Sequence, residues 1–226
     1  MNSDLRTPDL ATTIRLGIGA LTLECRAICF DLDGVLADSH DHITRAITRW
    51  AQDRQVDLRD LAEASRSLTD VEFVRIAAPH LDAEAEAREI QRIEYELAGE
   101  TPPMPGAVEL YRSIPRHATA VVTSGARAVV TRRLHSLGVG DPNILVSADD
   151  VTAGKPDPEP YRTALRHLGA HPADAIAVED TVVGARSAKA AGMRVIGVGE
   201  HLTGGWLTTL FETCVPSLDH IGTRRA

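Results

Sequence analysis

Phe30-Asp31-Leu32-Asp33-Gly34-Val35-Leu36-Ala37-Asp38-Ser39 follows directly on the apolar run Ala27-Ile28-Cys29. An apolar run ending at a glycine reads as a buried strand and its turn. Side chains two apart on a strand point to the same face, so Asp31 and Asp33 lean together at its C-terminal end. Two buried like charges are costly unless a cation or a shared proton compensates them. Paired carboxylates of this kind suggest a hard metal ion, for which Mg²⁺ is the usual choice. An EF-hand loop is excluded, because its twelfth position falls on His42 rather than Glu. A solvated Asp-Gly turn remains as the alternative, and the rest of the chain decides between the two.

Three later stretches supply that company. Ala118-Thr119-Ala120-Val121-Val122-Thr123-Ser124-Gly125 is a strand-like run ending in two hydroxyls and a glycine. Gly154-Lys155-Pro156-Asp157-Pro158 places a cation in a proline-punctuated loop, and Ala175-Ile176-Ala177-Val178-Glu179-Asp180 is a further apolar run ending in acids. Ligands bind at the C-terminal strand edge of open parallel α/β sheets, where these groups would gather. The chain has two lysines, Lys155 and Lys189, in a composition otherwise committed to Arg. A compact ammonium can reach a carboxylate and a phosphate oxygen as a point charge, which a planar guanidinium does poorly. Gly154-Lys155 is not a P-loop, since the upstream glycine spacing is wrong and Pro156 stands where Ser or Thr belongs.

In this order, Asp31-x-Asp33-Gly34-Val35, Val122-Thr123-Ser124-Gly125, Gly154-to-Tyr161 and Glu179-Asp180 with Gly184 resemble the four motifs of the haloacid dehalogenase superfamily. The resemblance covers roughly residues 22 to 200. Leu21-Thr22-Leu23, Pro105-Gly106-Ala107 and the full Gly154-to-Tyr161 run make the chain most similar to the branch acting on 2-deoxyglucose 6-phosphate and glycerol phosphates.

The resemblance implies an α/β fold, a Rossmann-like parallel sheet core with a small inserted all-helical cap, and Mg²⁺ as cofactor. It implies a phosphatase of small phosphomonoesters working through an aspartyl-phosphate. Asp31 would be the nucleophile and Asp33 the general acid and base. Thr123, Ser124, Gly125 and Lys155 would bind the substrate phosphate. Asp31, Asp33 (through its main-chain carbonyl) and Asp180 would hold the metal, with Glu179 supporting. Relatives usually carry a Gly-Arg pair in the cap where this chain has Ser65-Arg66-Ser67-Leu68, so Arg66 is the candidate for substrate specificity.

The organisation fits that plan. Thr123 and Lys155 are 32 residues apart, and Lys155 and Asp180 are 25 apart, each interval suiting one βα unit. Helices are expected over 126–137, 159–168 and 182–190, and further strands over 144–146 and 195–198. The 90 residues between Asp33 and Thr123 are too many for one unit, and their patterns are helical over 43–54, 71–77 and 83–97. This divides the chain into an N-terminal extension (1–20), a core (21–38 and 104–226) and a helical cap (39–103). Glu84, Glu86, Glu89, Glu94 and Glu96 are expected on the solvated face of the cap. Asp38 is expected to cap its first helix, and His40 and His42 to lie on the surface. Trp206, Leu207, Leu210 and Phe211 read as core.

The 226 residues, 43% hydrophobic and 4% aromatic, suit a core packed from Ala, Leu, Val and Ile. A net charge of −8 argues against nucleic acid and anionic membranes as partners. The resemblance implies a small phosphorylated metabolite as partner, and a monomer or homodimer is expected. Cys25, Cys29 and Cys214 lack metal-ligand spacing; the first two are expected to share a strand face as core thiols, suiting a reducing cytoplasm. No signal peptide or membrane span is expected.

Four rivals are weighed against the phosphatase. A β-phosphoglucomutase-like enzyme would carry a cap-side His where Ile43 stands. A phosphonatase would need a cap lysine, and a haloacid dehalogenase would have no use for Asp33. A catalytically inactive regulatory module would show eroded motifs, and none is eroded.

Overall fold

In the computed structural model, which describes residues 13–58, 61, 68–202 and 209–224, the run before Asp31 is a fully buried strand. It is the third in the chain: Ile14–Ile18 (β1) and Leu21–Cys25 (β2) precede Ala27–Phe30 (β3). Thr119–Val122 (β4), Leu145–Val146 (β5), Ala175–Glu179 (β6), Arg194–Val198 (β7), Thr213–Val215 (β8) and Gly222–Arg224 (β9) follow. Six strands form a parallel sheet in the order β5-β4-β3-β6-β7-β8. From β3 the chain builds outward through β4 and β5, then returns to the other side of β3 with β6. That reversal opens a crevice at the C-terminal ends of β3, β4 and β6.

Among the described residues the α-helices are His40–Arg54 (α1), Asp70–Ala77 (α2), Ala83–Ala98 (α3), Ala107–Ser113 (α4), Arg127–Ser136 (α5), Glu159–Leu168 (α6) and Val182–Ala190 (α7). Helix α4, which the sequence reading passed over, begins directly after Pro105-Gly106. Alternation along the strands divides the core. Ile28, Phe30, Val121, Ile176 and Val178 pack with Leu110 and Tyr111 of α4 and Leu134 of α5. Ala27, Cys29, Ala120, Ala175 and Ala177 face the other way, toward α6 and α7. Small residues on that face let the two helices lie close to the sheet.

Two expectations about the N-terminal part are corrected. Ile14–Ile18, read as extension, is a strand pairing antiparallel with β2 and with β9, the latter some 200 residues away in sequence. The chain bends at Arg26, so Cys25 ends β2 while Cys29 lies in β3, and the two thiols join opposite core layers.

Between β3 and α4 the chain makes its helical excursion. Helices α1, α2 and α3 share a core of Ile43, Ile47, Trp50, Phe73, Val74, Ile90 and Ile93. The two connections to the sheet domain run side by side. Ala37 pairs with Pro103, the Asp38 N–H donates to the Pro102 carbonyl, and the Met104 N–H donates to the Leu36 carbonyl. Asp38 is therefore not the cap of α1; that position belongs to Ser39. Glu94 departs from the expected solvated face, because it lies in the stripe Ala87, Ile90, Glu94, Ala98 and is buried. Phe211 is buried and Leu210 half-buried against the α6–α7 layer. Trp206 and Leu207 lie outside the described residues.

Candidate active site

The ends of β3, β4 and β6 bring three of the four motifs to one edge, and the loop between β5 and α6 adds the fourth. Asp31 follows β3 directly, and its N–H donates to the Val178 carbonyl of β6. Its Oδ1 accepts from Lys155 Nζ at 3.0 Å. The same ammonium donates to Glu179 Oε1 at 2.7 Å and to the Val122 carbonyl at 3.1 Å. All three ammonium hydrogens thus have acceptors, from three different strand ends.

Asp31, Glu179 and Asp180 form a buried group of acids with one oxygen from each within 4.8 Å of the others. Two glycines make room for it. Gly34 has φ +77, and a Cβ there would collide with the Asp180 carboxylate. A Cβ on Gly184 would overlap the carboxylate of Glu179. Glu179 is fully committed: Oε1 also accepts from Tyr161 Oη at 2.6 Å, and Oε2 accepts from Thr181 Oγ1 at 3.3 Å. Asp180 differs, since its buried Oδ1 has no hydrogen-bond partner among the described residues. Its Oδ2 lies 3.4 Å from His40 Nε2, and its main-chain carbonyl lies 2.8 Å from His201 Nε2. His40, read as a surface residue, is instead a neighbour of the acid cluster; His42 sits apart, with Nδ1 3.1 Å from Thr101 Oγ1.

Burial raises Asp31 well above the ordinary carboxylate range; Lys155 pulls it down, while Glu179, Asp180 and Asp33 push it up. Burial likewise raises Asp180, and His40 only partly offsets this. For Lys155, burial acts to lower the value, but Asp31 and Glu179 outweigh it and hold the ammonium above its ordinary value. Three clustered acids face one lysine. An all-oxygen donor set with an unpartnered buried carboxylate oxygen fits a hard divalent cation such as Mg²⁺.

Asp33 occupies different surroundings, and its carboxylate stands outside that acid group. Its Oδ1 accepts from Ser39 Oγ at 2.5 Å and from Arg133 Nη1 at 2.8 Å, while Oδ2 lies 3.4 Å from Thr123 Oγ1. Arg133 is 1% exposed, and its Nη2 lies 3.4 Å from Glu94 Oε2 on α3. Burial drives Glu94 up to about 8, although Arg133 works against this. Asp70, at the start of α2, is raised to about 6 by burial, offset by a hydrogen bond from Gln91 and by Arg133.

Sequence reasoning missed Ser39, Arg133 and Glu94. A signal existed for two of them: Arg133 follows Val129 and Val130 at helical spacing, and Glu94 follows Ile90, so each is a charge on an apolar face.

Thr123 Oγ1 accepts from the Gly125 N–H at 3.1 Å, shaping the turn through Ser124 into α5. Helix α5 begins at Arg127, one residue later than expected, and the Arg127 N–H is held by Asp149 Oδ2 at 2.7 Å. Arg66 lies outside the described residues. Glu72, of the capping box at the start of α2, lies close to Gly154 beside Lys155, so the helical excursion meets the loop that carries Lys155.

Residues 25–192 match the family model of haloacid dehalogenase-like hydrolases. Hexitol phosphatase A of Escherichia coli is 30% identical over 181 residues, covering 78% of this chain and 84% of the relative. A β-phosphoglucomutase of Bacillus subtilis is 27% identical over 192 residues, covering 77% and 84%. The crystal structure of CbbY from Rhodobacter sphaeroides in complex with phosphate superposes with a TM-score of 0.74 at 25% identity, covering 86% of this chain and 95% of that one. With the motif order and the strand-end geometry, these matches place the chain in the haloacid dehalogenase-like hydrolase family.

Proposed function

We propose that this chain is a Mg²⁺-dependent phosphatase that hydrolyses small sugar or polyol phosphomonoesters through an aspartyl-phosphate on Asp31. The observation that carries the reading is the contrast between two aspartates two residues apart. Asp31 lies among Lys155 and the acid cluster, whereas Asp33 is turned to Ser39, Thr123 and Arg133.

In the first half-reaction an Asp31 carboxylate oxygen attacks phosphorus, and the bond to the departing alkoxide breaks as Asp33 gives that oxygen a proton. In the second, water attacks the same phosphorus, Asp33 takes a proton from it, and the Asp31–phosphorus bond breaks to release phosphate. Asp31 and Asp180, with Glu179 supporting and the Asp33 carbonyl as the family resemblance implies, would hold the cation. Bound Mg²⁺ supplies charge neutralisation for the phosphoryl oxygens. Thr123, Ser124 and Gly125 would receive the phosphoryl group at the head of α5, and Lys155 would orient Asp31 beside it.

The substrate class follows from the helices over the site and from the relative that acts on hexitol phosphates. A covered chamber suits a compact polar leaving group, and Arg66 is the proposed specificity residue. The residue at the mutase histidine position is Ile43, so transfer between sugar hydroxyls is the weaker reading. Free thiols at Cys25, Cys29 and Cys214 support work in a reducing cytoplasm. No helix among the described residues is long and apolar enough to cross a membrane.

The test is phosphate release from hexose, hexitol, glycerol and nucleoside monophosphates and from phosphopeptides, with Mg²⁺ or chelator. Sugar or polyol phosphates should give the highest kcat/KM, and chelation should remove turnover. Best turnover of nucleotides or phosphopeptides would reject the substrate class. Glucose 1-phosphate converted to glucose 6-phosphate without free phosphate would install the mutase instead.

A further inference from the structure

Arg133 is the buried cation that the proposed chemistry leaves unassigned. A guanidinium with 1% of its surface exposed needs compensating carboxylates, and breaking such an arrangement leaves an uncompensated charge. The acids that face it come from three elements. Asp33 follows β3, Glu94 lies on α3, and Asp70 begins α2. Among the described residues its Nε and Nη2 make no hydrogen bond, so its one directed bond goes to Asp33 Oδ1.

That bond has a chemical consequence. Oδ1 of Asp33 already accepts two donors, Ser39 Oγ and Arg133 Nη1. An oxygen facing two donors is a poor place for a further hydrogen. Oδ2 accepts only from the Thr123 hydroxyl, at 3.4 Å, which can turn and accept instead, so the hydrogen that Asp33 delivers belongs on Oδ2, within 3.8 Å of the position a Cβ on Gly125 would take. Oδ2 thus faces the turn that receives the phosphoryl group. When the Oδ2–H bond breaks and the proton passes to the departing alkoxide, the carboxylate charge spreads onto Oδ1. Arg133 and Ser39 are already in place to receive it.

Building on the reading of Asp33 as the general acid, we propose that Arg133 is a positioning residue. It selects the oxygen of Asp33 that carries the transferable hydrogen and stabilises the carboxylate left behind. Glu94 on α3 holds the far side of the guanidinium, so the placement of the acid depends on a helix of the cap. The chain thereby links the covering of the site to the protonation of the leaving group.

The experiment compares kcat and KM for a polyol phosphate, whose alkoxide needs a proton, with those for p-nitrophenyl phosphate, whose leaving group hardly does. The variants are Asp33→Ala, Arg133→Met, Arg133→Lys and Glu94→Gln. Arg133→Met should lose kcat at least about tenfold more on the polyol phosphate than on p-nitrophenyl phosphate, with the loss in kcat rather than KM. Assayed above pH 8, where Glu94 carries its charge, Glu94→Gln should show the same skew, smaller, and Arg133→Lys an intermediate one. If Arg133→Met does not fold, the Lys and Glu94 variants decide. Equal losses on both substrates, as a purely structural role would give, overturn the proposal. If Asp33→Ala itself shows no skew, the reading of Asp33 fails and this proposal with it. A skew in Asp33→Ala shared by none of the other variants sinks the role of Arg133 alone.

Discussion

Asp31 and Asp33 share one strand end, yet they belong to two differently built regions. The surroundings of Asp31 come from the sheet domain: Lys155 from the loop before α6, and Glu179 and Asp180 from the end of β6. The surroundings of Asp33 lie at a seam: Ser39 at the start of the cap, Arg133 on α5, and Glu94 of α3 behind it. The first region concentrates negative charge around one ammonium, which suits a cation and a nucleophile. The second holds one carboxylate oxygen by donors and leaves the other toward Thr123, which suits a group that gives and takes a proton. Two equivalent side chains acquire different surroundings from what lies behind them, and the proposed roles divide along that line.

The sharpest attempt to break this contrast is Asp31→Asn. The amide keeps the shape but cannot act as nucleophile, so kcat should fall at least about a hundredfold, roughly 2.7 kcal/mol. The wild type should also yield a hydroxylamine-sensitive phosphoenzyme. Retention of more than about a hundredth of kcat would remove Asp31 from the covalent step.

Lys155→Arg tests whether the first region depends on a point charge. The ammonium meets three acceptors at 2.7–3.1 Å, a geometry that a planar fork cannot reproduce. A kcat loss of at least about tenfold is expected, and near-normal turnover would mean that charge alone suffices. Gly184→Ala tests the space behind Glu179. Its added methyl overlaps the carboxylate, so denaturation should show a loss of about 1–3 kcal/mol, and an unchanged midpoint would mean that the cluster repacks freely.

A smaller effect concerns pH. Glu94 holds its proton up to about 8 in the folded chain against an ordinary 4.5, so the native state binds more protons between those values. Folding stability should therefore fall as pH rises from about 4.5 to about 8, and Glu94→Gln should flatten that slope. Asp31 and Asp180 are raised in the same sense. Mg²⁺ competes with protons for such acids, so its stabilising effect in thermal melts should be larger at pH 8 than at pH 5. Equal stabilisation at both pH values would place the ion elsewhere.

The sequence made the strand ends legible because each acid, hydroxyl or lysine followed an apolar run or a proline-marked loop, and α6 and α7 begin and end where their patterns do. Periodicity also revealed the cap helices, although α1 starts at His40 rather than Ile43. What remained hidden depends on partners far apart in the chain. The pairing of β1 with β9 spans nearly the whole sequence, and Arg133 meets Asp33 across 100 positions. Helical spacing marks the buried face of α5, but it does not say which acid waits there. His40 shows the same limit, since its nearness to Asp180 depends on how the loop after β3 folds back.

The division of labour between the two aspartates is tested most directly by measuring kcat for Asp31→Asn and Asp33→Ala on a polyol phosphate and on p-nitrophenyl phosphate. Loss of the nucleophile should be blind to the leaving group, with similar factors on both substrates. Loss of the acid should be at least about tenfold more severe on the polyol phosphate, where the alkoxide requires a proton. Equal factors for Asp33→Ala on the two substrates would contradict the account.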